Sequence, residues 1–214
     1  MKKTCCIISA GDVNLPLLKA NKSNYDFFIA ADLGYEKAKE ADITPSLLVG
    51  DFDSIGQTHA TIDENTSVVR HPVEKDYSDT HLALEEGIKL GYTDFHIYGA
   101  LGGDRFSHSL SNIQTLCTMK SKGLSATIFG MHEQIYLLEN ESLTLNPPIG
   151  SSFSVFSLSD SSTGVSIEGA KYQLSDATLT NSSPIGLSNE SLDPTVTIST
   201  QKGYLLVILE IEYQ

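Results

Sequence analysis

Residues 47–54 read Leu-Leu-Val-Gly-Asp-Phe-Asp-Ser, a short apolar run that ends in two aspartates. A similar run, Phe-Phe-Ile-Ala-Ala at residues 27–31, ends in Asp32. Short apolar runs bounded by polar residues are typical of the buried strands of a parallel sheet. Ligands of such sheets bind beyond the carboxyl ends of the strands. We therefore expect these aspartates to face a binding site.

The pattern around these two runs predicts a parallel α/β/α domain. From residue 4 to about residue 130, short apolar runs alternate with helix-like stretches, which is the signature of βαβ units. The predicted strands are Thr4–Ile8, Phe27–Ala31, Leu47–Val49, Phe95–Tyr98 and Thr127–Phe129.

Two helices of this half can be placed from their periodicity. The first is predicted over Asp79–Leu90 and ends before Gly91, a residue suited to terminate a helix. The second is predicted over Ser107–Met119. Its buried stripe is expected to comprise Leu110, Ile113 and Cys117, with His108 and Asn112 on the opposite face.

The pattern changes after about residue 132 to short β-type segments separated by turn-rich stretches. These segments are Ile135–Leu138, Phe153–Leu158, Thr195–Ser199 and Tyr204–Ile211. They predict an antiparallel β-sandwich, and the Ser-rich stretch 157–166 is interpreted as a loop. We therefore predict an α/β fold with two domains, an α/β domain over residues 1–132 and a β-sandwich domain over residues 133–214.

The composition narrows the classes of ligand. The 214-residue chain has a net charge of −13, which repels nucleic acid and anionic lipid, so neither is an expected partner.

No apolar run is long enough to span a bilayer or to act as a convincing signal peptide, so we expect a cytoplasmic protein. The three cysteines have no framework spacing, and we expect all of them to be buried thiols.

The Asp-x-Asp pair formed by Asp51 and Asp53 is a candidate Mg²⁺ site. In an extended chain both side chains point the same way, and Mg²⁺ prefers carboxylate, water and phosphate oxygens. A solvated turn at the end of a strand explains the pair equally well. Asp79 lies where the first predicted helix begins, so either Ser78 or Asp79 is expected to cap that helix.

Two further segments have features suited to phosphate. A helix start favours anions, so Lys75 near the start of the first helix is a candidate phosphate contact, although a plain surface lysine is the simpler interpretation. The stretch 99–112 joins a glycine-rich loop to the second helix. Its glycine amides and Arg105 suggest a phosphate cradle. It lacks both the P-loop ending and the dinucleotide fingerprint spacing.

Taken in order, these motifs resemble the thiamine pyrophosphokinase family. The matching segments are Ala31–Gly34, Gly50–Ile55, Glu74–Asp79, Gly102–Asn112, Gly169–Leu174 and Gly186–Glu190. The resemblance implies a homodimeric, Mg²⁺-dependent enzyme that moves the pyrophosphoryl group of ATP to the hydroxyl of thiamine, releasing AMP. It also implies that thiamine lies between the α/β domain of one subunit and the sandwich of the other.

The resemblance assigns roles to individual residues. Asp51, Asp53 and Asp79 match the metal-binding aspartates. With Arg105 and His108, these are the predicted catalytic residues. The predicted ATP side comprises Asp32, Lys75, Asp76, Arg105 and Asn112, and the predicted thiamine side comprises Tyr172, Ser188 and Asn189. An aromatic face at Tyr172 also suits the thiazolium cation.

The chain departs from the family pattern in its glycine loop. The family commonly has Gly-Gly-Arg-x-Asp-His, whereas here Asp104 precedes Arg105 and Ser107 replaces the family aspartate. Two other functions remain open from the residues alone. One is a phosphohydrolase of the haloacid dehalogenase type, which places its Asp-x-Asp motif after the first strand. The other is a protein that binds nucleotide or vitamin without catalysis.

Overall fold

The computed structural model describes residues 3–51, 62–72 and 77–211. Contacts within the chain divide it into two compact units, Met1–Met131 and His132–Gln214. Each unit has its own hydrophobic core. In the part of the chain that is described, no helix is both long and apolar enough to cross a membrane.

The first unit is built on six described strands that all run parallel. Their spatial order is β6-β5-β1-β2-β3-β4. The central strand β1 pairs Ile7 with Ile29 of β2 on one side and with Ile97 of β5 on the other. The bounds are β1 Thr4–Ile8, β2 Phe27–Ala31, β3 Leu47–Gly50, β4 Ser67–Arg70, β5 Asp94–Tyr98 and β6 Ser125–Phe129.

Each of the five strands predicted for this half is present. β4 escaped prediction because Ser67–Arg70 is short, lies at the edge of the sheet and is mostly exposed, so its sequence carries little apolar signal. The helices are α1 Leu15–Asn21, α2 Gly34–Glu40, α3 Asp79–Lys89 and α4 Phe106–Ser121, and a short 3₁₀ turn at Lys22–Asn24 follows α1.

The helices cover both faces of this sheet. Leu18 of α1 and Ala38 of α2 pack with Cys6 and Ile8 in one core cluster. On the other face Gly87 of α3 approaches Phe95 and Ile29 closely. Because neighbouring residues of a strand point to opposite faces, both faces of β1 are buried. This accounts for the unbroken apolar sequence of that strand.

The prediction for α3 is confirmed, but the predicted buried face of α4 is wrong. Leu110 is 46% exposed, whereas Asn112, Leu116 and Met119 are buried. The buried stripe is rotated from the predicted one because polar side chains near the start of α4 bond to the preceding glycine loop. Asn112 therefore points inward and does not share an outward face with His108, which is exposed.

The second unit consists of two antiparallel sheets, with strand orders β12-β9-β14-β7 and β11-β10-β13-β8. The bounds are β7 Glu133–Leu138, β8 Glu141–Leu145, β9 Ser152–Ser157, β10 Ser161–Glu168, β11 Leu174–Thr180, β12 Asn189–Glu190, β13 Val196–Thr200 and β14 Leu205–Glu210. Side chains from both sheets form one apolar core, which includes Phe153, Ile167, Ile198 and Val207. The predicted sandwich is confirmed.

Two expectations need correction. The Ser-rich stretch 157–166 is not a loop, because β10 begins at Ser161 within it. Serine is a strand residue there, since Ser162 is fully buried and its hydroxyl donates to Tyr204 O at 3.0 Å.

Cys5 and Cys6 are buried as predicted, but Cys117 is partly exposed. Burial raises the pKa of the Cys5 thiol to about 12.

Candidate active site

The strand order of the first unit places a crevice between the ends of β1 and β5. The chain adds β2, β3 and β4 on one side of β1 and then returns to add β5 on the other side. Ligands bind at such switch points in open α/β sheets. The loops that leave the two strands run together, with Gly11 N–H donating to Gly99 O at 2.9 Å and Asp12 N–H donating to Leu101 O at 2.9 Å.

Two of the predicted aspartates lie at neighbouring strand ends. Asp32 follows β2 and has a left-handed backbone (φ 47°), while its N–H donates to Val49 O at 2.9 Å. Asp51 follows β3 directly. A Cβ placed on Gly50 would lie 3.4 Å from the Asp32 Cβ, which is an ordinary van der Waals distance, so the ends of β2 and β3 lie side by side. Both carboxylates thus belong to the same edge of the sheet.

Asp79 is the first residue of α3, and two hydroxyl contacts hold the start of that helix. Ser78 caps it by accepting the His81 N–H at 3.2 Å. The Thr80 hydroxyl bonds to the Ser9 hydroxyl at 2.9 Å, and both groups are buried. Ser9 follows β1. This contact therefore ties the start of α3, and Asp79 with it, to the end of the central strand.

The start of α3 favours negative charge. Unpaired N–H groups and the helix dipole give a helix N-terminus a positive potential, which stabilises a carboxylate or a phosphate. The His81 side chain stacks on Tyr77 with ring centroids 4.5 Å apart. The pKa of His81 is lowered, and burial of the imidazole is the largest cause. The negative charge of Glu85 acts in the opposite direction and raises this pKa. The lowered pKa favours the neutral imidazole, so the positive potential at this helix start comes from the backbone.

Contacts within the chain already use the amides of the predicted phosphate cradle. Gly102 N–H donates to Ser109 Oγ at 3.1 Å, and Gly103 N–H donates to Asp12 Oδ2 at 3.4 Å. Asn112 Nδ2 donates to Ala100 O at 2.7 Å. A phosphate reaches the two glycine amides only if these contacts open. In this conformation the loop is a braced turn rather than an open cradle.

The other predicted residues near this loop have different exposures. Arg105 precedes α4 in an extended conformation and is exposed, as is His108 in the first turn. Both can reach a ligand from solvent. Asn112 is only 6% exposed, and its Oδ1 has no hydrogen-bond partner within the described ranges. Its firm contact is with the loop backbone, so the structure places it as a brace of the glycine turn.

The structure describes two of the three predicted metal ligands, Asp51 and Asp79. Asp53, Lys75 and Asp76 lie outside the described residues. Among the residues that are described, no three acidic, histidine or cysteine side chains come close enough to hold a metal ion. The carboxylates of Asp51 and Asp79 nevertheless have the donor chemistry that Mg²⁺ prefers. Asp51 lies at the carboxyl end of β3, and Asp79 begins the helix that is tied to the carboxyl end of β1.

In the second unit, the three predicted thiamine-side residues lie in two segments that contact each other. Asn189 of β12 accepts Tyr172 N–H at 3.0 Å and donates to Tyr172 O at 2.8 Å. The Tyr172 side chain is 62% exposed. Ser188 is exposed, has a left-handed backbone (φ 56°), and donates its N–H to Ser154 Oγ at 3.1 Å. Tyr172 and Ser188 are thus presented outward, whereas Asn189 is buried.

Several residues of these sites were missed by sequence reasoning. They are Ser9, Asp12, Thr80 and Ser109, which act through hydrogen bonds between segments. Asp12 lies in the loop four residues after the end of β1, whereas Asp32 follows β2 directly, so the rule that selects residues at strand ends does not reach it. The other three are ordinary hydroxyl residues whose partners are not apparent from sequence.

Comparison with known families finds two successive matches. The family model described as thiamin pyrophosphokinase, catalytic domain, matches residues 18–128, which is more than half of the chain. The model described as thiamin pyrophosphokinase, vitamin B1 binding domain, matches residues 136–205. The first match lies within the parallel α/β unit and the second within the sandwich.

Individual thiamine pyrophosphokinases match nearly the whole length of this chain. The chain is 28% identical over 210 residues to the thiamine pyrophosphokinase of Bacillus subtilis (strain 168), covering 96% of this chain and 98% of that protein. A crystal structure of thiamine pyrophosphokinase from Bacillus subtilis has a TM-score of 0.85 at 25% identity, covering 99% and 100% of the two chains. The enzyme from Candida albicans shares the fold, with a TM-score of 0.78 at 14% identity over 99% and 90% of the chains.

Proposed function

Because the chain belongs to the thiamin pyrophosphokinase family, we propose that it transfers the pyrophosphoryl group of ATP to the hydroxyl of thiamine, giving thiamine pyrophosphate and AMP. The observation that carries this proposal is the acidic edge of the first unit. Asp32 and Asp51 leave adjacent parallel strands there, and Asp79 begins the helix tied to the central strand.

This edge suits a metal-bound polyphosphate rather than a bare anion. Carboxylates repel phosphate, so they assist phosphate binding only through a cation. In our proposal Asp51, Asp53 and Asp79 hold Mg²⁺, which when bound would offset the charge on the phosphates and orient them. The start of α3 adds backbone N–H groups, and the exposed Arg105 supplies a planar cationic fork.

The proposed reaction is a single in-line displacement. The hydroxyl oxygen of thiamine attacks the β-phosphorus of ATP, and a new oxygen–phosphorus bond forms. The bond from that phosphorus to the oxygen bridging to the α-phosphate breaks, and AMP leaves with this oxygen. The hydroxyl proton passes to a base, for which an aspartate of the acidic edge is the first candidate and the exposed His108 the second. Positioning and charge supply most of the rate enhancement.

We assign the ATP and Mg²⁺ site to residues 1–132, and thiamine binding and dimerisation to residues 133–214. On the ATP side, Asp32, Lys75 and Asp76 join the residues above, while Asn112 supports the glycine turn. The thiamine site of the proposed homodimer lies at the subunit interface, where the exposed Tyr172 ring offers a face for the thiazolium cation.

The rival functions suit the structure less well. A haloacid dehalogenase places its Asp-x-Asp motif after the first strand, whereas Asp51 follows the third. A protein that only binds ligand does not account for matches to both thiamin pyrophosphokinase domain models. Such a protein would bind both substrates without forming thiamine pyrophosphate.

Replacing Asp51 by Asn tests the assigned metal-binding role. The substitution keeps the size of the side chain but removes its charge, so we expect AMP formation to fall about 100-fold or more at saturating Mg²⁺. Asp53→Asn should behave similarly. A coupled assay for AMP, with thiamine and ATP saturating, measures both effects.

Asp42→Asn is the matched control for this experiment. Asp42 follows the C-terminal end of α2 and forms an exposed ion pair with Lys19 at 2.9 Å. Its left-handed backbone (φ 55°) also tolerates asparagine. Since exposed ion pairs contribute little, turnover of this variant should stay close to that of the parent. Undiminished turnover of Asp51→Asn would contradict the assignment.

A further inference from the structure

In the second unit a short strap joins residues 171–172 to residues 189–190. Besides the two bonds between Asn189 and Tyr172, Lys171 N–H donates to Glu190 O at 2.9 Å. The Lys171 ammonium also bonds to Glu190 Oε2 at 3.0 Å. Backbone and side-chain contacts thus fix both residues of the 171–172 segment.

Asn189 is the centre of this strap. Its Oδ1 accepts two N–H groups, from Tyr172 at 3.0 Å and from Glu190 at 2.9 Å, and its Nδ2 donates to Tyr172 O at 2.8 Å. A carbonyl oxygen has two lone pairs, so the acceptor capacity of Oδ1 is fully used. The residue is only 6% exposed. The amide is therefore occupied by the backbone and shielded from solvent.

We propose that Asn189 is a positioning residue, which holds the backbone of Tyr172 so that its exposed ring is presented to the cationic ring of the substrate. This inference rests on the proposed function, in which Tyr172 is a thiamine contact. It differs from the assignment carried over from the family resemblance, because Asn189 then acts through Tyr172 and does not touch thiamine.

The energetic advantage of such an arrangement is preorganisation. An exposed aromatic ring on a mobile backbone must be ordered when a ligand stacks on it, and that ordering lowers affinity. Here the backbone of Tyr172 is already fixed on both its N–H and its C=O sides. The attraction between a cation and the ring is then less offset by lost entropy.

The same amide also orders the neighbouring charges. By accepting Glu190 N–H, Asn189 fixes the residue whose carboxylate binds Lys171. The hydrogen bond to Glu190 is the largest effect raising the pKa of Lys171. The ammonium lies 5.9 Å from the Tyr172 ring centroid. It therefore lies over one face of the ring, and its charge is balanced by Glu190.

The absence of tryptophan from the chain allows a direct test. Tyr172→Trp introduces a single tryptophan whose fluorescence reports on position 172 alone. In this parent we measure the steady-state anisotropy, the quenching by thiamine, and the KM values for thiamine and ATP. The same measurements are made after adding Asn189→Ala, Asn189→Asp or the control Asn181→Ala. Asn181 is exposed and makes one long bond to Asp160, at 3.4 Å.

We expect Asn189→Ala to lower the anisotropy of the introduced tryptophan and to raise the KM for thiamine at least tenfold. The KM for ATP and kcat should change less than threefold. Asn189→Asp keeps the acceptor oxygens but puts an oxygen in place of the donor to Tyr172 O, so it should also lower the anisotropy and raise the KM for thiamine. It decides the outcome if Asn189→Ala does not fold. Asn181→Ala should match the parent.

Two results would overturn the proposal. One is an unchanged anisotropy together with an unchanged KM for thiamine. The other is a raised KM with unchanged anisotropy, which would mean that Asn189 contacts thiamine directly. Failure of the proposed function looks different, because thiamine would then not quench the introduced tryptophan even with Asn189 intact. The anisotropy would still report whether Asn189 holds this position.

Discussion

The buried hydroxyl pair of Ser9 and Thr80 shows how much of the site depends on single side chains. Ser9 is 3% exposed and Thr80 is 6% exposed. Their hydroxyl oxygens are 2.9 Å apart, so each hydroxyl has the other as its hydrogen-bond partner. Since Thr80 follows Asp79, the pair fixes a proposed metal ligand relative to the end of the central strand. Removing one hydroxyl leaves the other buried without that partner, which is costly.

Thr80→Val tests this contact, because valine keeps the shape of threonine but cannot form the hydrogen bond. We expect the free energy of unfolding to fall by about 1–3 kcal/mol, together with a loss of turnover as Asp79 loses its support. Thr80→Ser keeps the hydroxyl and should cost clearly less. Urea unfolding followed by circular dichroism measures both variants.

A double variant separates the hydrogen bond from packing. Adding Ser9→Ala to Thr80→Val removes the hydroxyl left unpaired, so part of the lost stability should return. Equal stability of Thr80→Val and Thr80→Ser would show that the pair contributes nothing.

At this scale the sequence predicts strand-end residues well and hydrogen bonds between segments poorly. Asp32 and Asp51 could be placed because an apolar run ends immediately before each of them. The partners Ser9 and Thr80 are 71 residues apart, and Tyr172 and Asn189 are 17 apart. No local pattern encodes either pairing. The family resemblance therefore singled out Asn189 without revealing that its amide binds the backbone of Tyr172.

Helix α2 lies unusually close to the central strand, and one glycine permits this. A Cβ on Gly34, the first residue of α2, would lie 1.9 Å from Ile8 O and 3.0 Å from Ser9 Cα. Both are backbone atoms, so a clash there cannot be relieved by a side-chain rotation. The close approach keeps the end of β2, and Asp32 with it, beside the end of β1.

Gly34→Ala should therefore destabilise the protein, although helix propensity alone predicts the opposite sign. Alanine in place of glycine within a helix normally stabilises by up to about 1 kcal/mol. Here we expect a net loss of about 1–3 kcal/mol, because the strand or the helix must move. Urea unfolding measures the change. Glu40→Ala, an exposed position in the same helix, should stay within about 0.5 kcal/mol, and a more stable Gly34→Ala protein would refute the close contact.

An element is easy to predict from sequence when its buried side chains are apolar, and hard to predict when its buried side chains are polar. β1, β2 and β3 are buried, so their apolar runs stand out in the sequence. α4 is harder, because Ser109 and Asn112 are turned inward to bond the glycine loop while Leu110 is exposed. A rule that places apolar residues inside selects the wrong face of this helix. β10 was missed because buried serine resembles loop composition.

For the whole molecule, periodicity was enough to predict the fold class. Apolar runs that alternate with helical patterns gave the parallel sheet, and short β-type segments with frequent turns gave the sandwich. The acidic composition favours a metal-bound or cationic ligand. A protein with a net charge of −13 repels a bare polyphosphate. The identity of the acceptor came from the family resemblance, because the chemistry of the acidic edge does not select thiamine.

The most direct test of the proposed activity is a product measurement with the purified full chain, ATP, Mg²⁺ and thiamine. We predict that AMP and thiamine pyrophosphate form in equal amounts, and that neither forms when thiamine or Mg²⁺ is omitted. Release of inorganic phosphate without thiamine would contradict the account in favour of a hydrolase. Tight binding of both substrates with no thiamine pyrophosphate produced would contradict it in favour of a binding protein.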